Sequence, residues 1–84
     1  MYFIAVGTDV RPEEFGPFMA EEAAVLAELR AEGTVKSVFK RVAGGGVYTI
    51  VEAATPDEAR RQLGRLPLVR EGMLAFALTE VVEL

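Results

Sequence analysis

Residues 17–32, PFMAEEAAVLAELRAE, decide how this chain is read. Phe15, Phe18, Met19, Val25, Leu26 and Leu29 recur at three-to-four spacing, which predicts an amphipathic helix over 17–32. At roughly 100° per residue, these side chains all fall within about 60° of Glu22. One carboxylate therefore stands in the middle of the apolar stripe, while Glu21, Glu28 and Glu32 project away as solvated acids. A carboxylate aimed inward has to find a partner, take up a proton or line a wet cavity, because burying it bare is too costly. Pro17 after Gly16 suits the first helical position, and Gly33 suits a left-handed C-cap. Pro12, Glu13 and Glu14 suit a short helical turn just ahead.

Strands are expected on both sides of this helix. Tyr2 to Val10 is rich in β-branched and aromatic residues, with Tyr2, Ile4, Val6 and Thr8 on one face and Phe3, Ala5, Gly7 and Asp9 on the other. Thr34 to Val42 reads as a second strand, alternating Val35, Ser37, Phe39 and Arg41 against Lys36, Val38, Lys40 and Val42. Its basic residues suit a sheet edge. Ala43 to Gly46 turns the chain into a third strand, Val47 to Ala53. A glycine triplet between strands is a flexible hairpin tip with no ligand role, since a phosphate cradle would want a helix N-terminus next. Thr55-Pro56-Asp57-Glu58 opens a second helix with a capping box, carrying Ala59, Leu63 and Leu66 on one face and Arg60, Arg61 and Arg65 outward. Pro67 is expected to end it. Met73 to Leu84 is the last strand.

The order strand, helix, strand, hairpin, strand, helix, strand predicts a ferredoxin-like α+β fold, βαββαβ, with a four-stranded antiparallel sheet and two helices on one face. Residues 1–84 form one domain on this reading. Because the strands carry apolar residues on both faces, the uncovered face calls for a second subunit, giving a dimeric α+β barrel and a homodimer or higher homo-oligomer.

Composition narrows the chemistry. The chain has 84 residues, 51% of them apolar, and neither Cys nor His. Disulfides, thiolate nucleophiles and the usual zinc, haem and copper ligands are thereby missing, so no metal and no cofactor is expected. Proton transfer falls to carboxylate, Lys, Tyr or water. A net charge of −4 argues against nucleic acid as a partner, and no apolar run is long enough for a membrane span. Strand-like YFIAV follows Met1 with no cationic leader, so a cytoplasmic location is expected. The chain has no Asn, one Gln and one Ser, which fits a thermophilic source or the compositional bias of a GC-rich genome.

Glu22 is the candidate catalytic acid or base, since a partly desolvated carboxylate can take a proton from carbon and return it. The alternative is a structural ion pair with Lys36, Lys40 or Arg41. Lys36, Lys40, Tyr48 and Tyr2 are the candidate substrate-binding residues, as cations or hydroxyls able to meet a carbonyl oxygen. Thr8 and Asp9 are secondary candidates. Glu52 reads as solvated or paired.

Several of these residues together resemble the muconolactone isomerase family. They are Ala20-Glu21-Glu22 followed by Glu28-Leu29 and Gly33, then Phe39-Lys40-Arg41, a hairpin, and Leu63 through Leu66-Pro67-Leu68 before the last strand. The resemblance spans nearly the whole chain, and Leu-Pro-Leu is its most specific piece. It implies the dimeric α+β barrel, assembly into homo-oligomers, and cofactor-free movement of a double bond within a lactone by proton transfer. The family's Lys and Tyr shortly after the paired acids stand here as Ala23 and Val25. A binding or effector-sensing module of the same fold for a small-molecule ligand therefore stays open, as does a protein whose only work is assembly.

Overall fold

In the computed structural model, which describes residues 1–84, the first alternating segment becomes strand β1, Tyr2–Asp9. It lies at the centre of the sheet, hydrogen-bonded antiparallel to β3 (Gly46–Glu52) on one side and β4 (Leu74–Val81) on the other. The edge strand β2 (Val35–Lys40) pairs only with β3, giving the order β2-β3-β1-β4. This is the ferredoxin-like α+β arrangement that the element order predicts. Strand β4 stops at Val81 rather than running to Leu84, because Val81 pairs with Tyr2 and β1 offers no partner beyond it.

The helix of residues 17–32 begins later than its periodicity suggests. Two 3-10 turns, Pro12–Glu14 and Gly16–Phe18, precede α1, Met19–Ala31. Pro17 thus sits in a tight turn closed by bonds three residues apart, from Phe18 N–H to the Phe15 carbonyl and from Met19 N–H to that of Gly16. At the other end Gly33 has φ 82°, with Thr34 N–H bonding to the Leu29 carbonyl and Gly33 N–H to that of Arg30. That bond pair is the left-handed cap expected of this glycine.

Helix α2 spans Pro56–Leu63, and Thr55 Oγ1 accepts the Glu58 N–H at 3.0 Å. Only half of the capping box forms, because the Glu58 carboxylate turns to Gln62 and Arg61 instead of the Thr55 N–H. Nor does Pro67 end this helix. Gly64 caps α2, and Pro67 opens a one-turn helix α3, Pro67–Arg70, where a missing N–H is harmless. Arg65, expected to point outward, ties this end to α1 through Glu32 at 2.8 Å and Glu28 at 3.4 Å.

The simple alternation expected for β2 is overturned by a bulge. Val35 pairs with Val51 but Ser37 pairs with Ile50, so Lys36 is an extra residue on the edge strand. An extra residue shifts the side-chain phase by one. Val35, Val38 and Lys40 consequently share the helix side with Val51, Thr49 and Val47, while Ser37 and Phe39 turn to the open side with Ile50 and Tyr48. The core gathers Phe3, Ala5, Val35 and Val51 from the sheet against Leu29, Ala59, Leu63 and Leu66 from the helices and their ends. Leu29 is fully buried, and truncating such a side chain to Ala costs about 2–5 kcal/mol.

Candidate active site

Leu29 pins the C-terminal half of α1 to the sheet, whereas the inward face of its N-terminal half meets open space. A cavity of about 490 Å³ lies there, within the roughly 300–1,000 Å³ of small-molecule sites. Its floor is the helix side of the sheet, formed by Val47, Thr49, Leu74 and Phe76. Pro12, Phe15 and Met19 make one wall, and Leu66 and Leu68 close another. Arg11, which starts the first wall, holds a left-handed backbone with φ 53° while its side chain reaches Glu14 at 3.0 Å and the Glu71 carbonyl at 3.4 Å.

Glu22 projects from α1 into this apolar enclosure and is 9% exposed. Its Oε1 accepts the backbone N–H of Leu68 at 3.0 Å. No buried side-chain oxygen lacks a partner, so Oε2, which makes no protein hydrogen bond, is the oxygen open to the cavity. Burial raises the Glu22 pKa above that of an ordinary glutamate, the Leu68 N–H pulls it back in part, and the charge of Glu21 adds to the rise. None of Lys36, Lys40 and Arg41 forms an ion pair with it. Lys36 pairs instead with Glu52 at 3.3 Å, and that lysine, with a hydrogen bond from Tyr2, holds the Glu52 pKa down.

The five residues singled out from the sequence divide between the two sides of the sheet. Glu22 and Lys40 line the same cavity, together with the secondary candidate Asp9. Lys36 and Tyr2 instead line a basin on the open side with Ile4 and Ile50, and Tyr48 pairs with Val6 and Phe39 on that side. The bulge is the reason Lys36 and Lys40 part company. The glycine hairpin, expected to lie clear of any ligand, rims the cavity with Gly44, Gly45 and Gly46. Asp9 N–H bonds to the Gly45 carbonyl at 2.9 Å and Arg41 N–H to that of Gly46 at 3.0 Å, which draws the tip back over the sheet.

Two polar groups of the site escaped the sequence reading. Thr49 is 3% exposed and lines the cavity floor. The Leu68 N–H is a backbone donor, and a signal for it existed: a proline opening a helix leaves the next N–H as the first orphan donor of that helix. No group of three or more His, Cys, Asp or Glu stands where it could hold a metal.

A ferredoxin-like sheet whose helix side encloses a carboxylate in an apolar, ligand-sized cavity defines the class: a small α+β protein with an acid-bearing pocket. The family model for muconolactone delta-isomerase matches residues 2–80, and the chain belongs to that family. Among solved structures it is similar to 5-chloro-2-hydroxyhydroquinone dehydrochlorinase (TftG) from Burkholderia phenoliruptrix AC1100, in complex with 2,5-dihydroxybenzoquinone. The two share 20% identity with a TM-score of 0.73, over 98% of this chain and 94% of the other. At that identity the likeness establishes the shared fold. No curated protein matches the chain. No helix is long and apolar enough to cross a membrane.

Proposed function

We propose that this chain is a proton-transfer isomerase acting on a small unsaturated lactone or related carbonyl compound, with Glu22 as the proton carrier. The observation that carries the reading is a buried carboxylate with no cationic partner, one oxygen held by Leu68 and the other open to an apolar cavity. Family membership supports small-molecule chemistry of the isomerase kind. The structural neighbour's ligand, a dihydroxybenzoquinone, matches the size class.

On this reading ionised Glu22 takes a proton from carbon beside the carbonyl. The C–H electron pair becomes a dienolate with its negative charge on the carbonyl oxygen. Glu22 then returns the proton two carbons along, and the double bond has moved. Atoms and electrons balance with no oxidant or reductant. A raised pKa suits both halves, because a carrier works best when its pKa approaches the operating pH. Lys40 and the Thr49 hydroxyl are the donors available to the dienolate oxygen.

A screen of unsaturated and enol lactones by ultraviolet absorbance tests this directly. Glu22→Gln keeps the shape and removes the exchangeable acid, so turnover should fall about 100- to 10,000-fold while the fold survives. Unchanged turnover in that variant would remove Glu22 from the role. Binding without turnover across the panel would instead favour the sensing module.

A further inference from the structure

We propose that Gly7 sets the depth of the cavity and so the largest ring that the site admits. This deepens the reading of the cavity as a substrate site and rests on it for the identity of the ring.

Gly7 is buried in β1, where it pairs with Val47 on one side and Phe76 on the other. Its backbone is not among the positive-φ glycines, so conformation does not require glycine here. Space does. A Cβ at this position would stand 2.9 Å from Phe76 Cε1, 3.0 Å from Leu74 Cδ1 and 3.0 Å from Val47 Cγ2. All three contacts are side-chain tips, and all three residues line the cavity floor. The missing side chain lets these tips settle against the sheet, leaving the space above them free. Ala5, the preceding residue on the same face, keeps its Cβ in the closed core. The glycine therefore falls where the core gives way to the cavity, and a strand-interior glycine of this kind marks a close approach rather than a turn. Any methyl added at residue 7 has to lift Phe76, Leu74 and Val47 into the cavity.

The test uses unreactive probes, so it does not depend on turnover. Xenon and toluene are titrated into the isotope-labelled chain, with the amides of Val47, Thr49 and Phe76 followed by NMR. Wild type should bind both. Gly7→Ala should bind toluene at least tenfold more weakly and xenon within threefold, since one methylene in an apolar pocket is worth roughly 10–200-fold. Adding Leu74→Ala to Gly7→Ala should restore toluene. Should Gly7→Ala not fold alone, the comparison is made in the Leu74→Ala background, which leaves room for the added methyl, and Leu74→Ala should bind naphthalene at least tenfold more tightly than the Gly7→Ala, Leu74→Ala double variant. Toluene affinity unchanged in folded Gly7→Ala, equal naphthalene affinity with and without Gly7→Ala in the Leu74→Ala background, or no toluene binding by wild type would each overturn the proposal. Size selection that follows this pattern in a chain without lactone turnover would leave Gly7 as the depth-setting residue and remove the isomerase reading alone.

Discussion

The backbone N–H of Leu68 donates to Glu22 Oε1 at 3.0 Å across 46 positions of sequence. One bond meets two needs. It satisfies the first free donor of α3, which Pro67 leaves exposed, and it fixes the carboxylate that faces the cavity. Burial still outweighs it, so the acid binds its proton more tightly in the folded chain than in the unfolded one.

That difference makes stability depend on pH. Because the folded pKa of Glu22 lies above the unfolded one, ionising it destabilises the fold; the cost is absent below the ordinary glutamate range and complete above the raised folded value. Glu22→Gln removes the cost. The variant should melt higher than wild type at pH 7.5, and the gap should close as pH falls to 4. A gap independent of pH, or one that widens in acid, would contradict the assignment.

Replacing the Leu68 amide by a backbone ester deletes the donor and keeps the side chain. Loss of a hydrogen bond to a charged group costs about 1.5–3 kcal/mol. The Glu22 carboxyl should then titrate still higher by carbon-detected NMR, since the one interaction lowering its pKa is gone. A fall would show that another donor takes over.

Lys40 and Lys36 should separate cleanly in activity. Lys40→Met removes the cation on the cavity side, and kcat should drop about 100-fold or more if it meets the dienolate oxygen. Lys36→Met breaks the pair with Glu52 on the other side and should leave kcat within threefold. Equal losses would refute the division between the two sides.

The open side of the sheet should bind a second copy. Ile4, Phe39 and Tyr48 are 38%, 59% and 45% exposed there, an apolar surface that water disfavours. Light scattering at micromolar concentration should give at least twice the monomer mass, and Ile4→Lys should shift it toward the monomer. A folded monomer in the wild type would remove the argument for a barrel dimer.

Thr55→Ala should lose about 1 kcal/mol in urea titration, the usual worth of an N-cap side chain. For a domain of this size that corresponds to about 4–8 °C in Tm. Probe binding in the cavity should not change, because Thr55 lies outside it.

What could be read from the chain was local. Alternation from Tyr2, the Thr55-Pro56 start and the Gly33 stop each depend on a few neighbouring residues, and each formed as expected. The inward aim of Glu22 followed from helical spacing alone. The Lys36 bulge was hidden because it arises from pairing with β3, which no periodicity within β2 reveals. Pro67 is ambiguous in sequence for a similar reason. A proline both stops and starts helices, and here the preceding Gly64 had already closed α2. The hairpin's approach to the cavity depends on the Asp9 to Gly45 bond between segments far apart in sequence.

The extra residue makes β2 tolerant of a loss in length. With Lys36 set outside the ladder, Val35 and Ser37 face the adjacent Val51 and Ile50, and Val38, Phe39 and Lys40 keep step with Thr49, Tyr48 and Val47. Deleting Lys36 would therefore close the ladder without turning a side chain over: Phe39 would stay on the open side and Lys40 at the cavity. Only the ammonium that pairs with Glu52 would go. The bulge thus holds one residue of slack in the edge strand, and the pocket's lysine and the outer phenyl ring are both insulated from its loss.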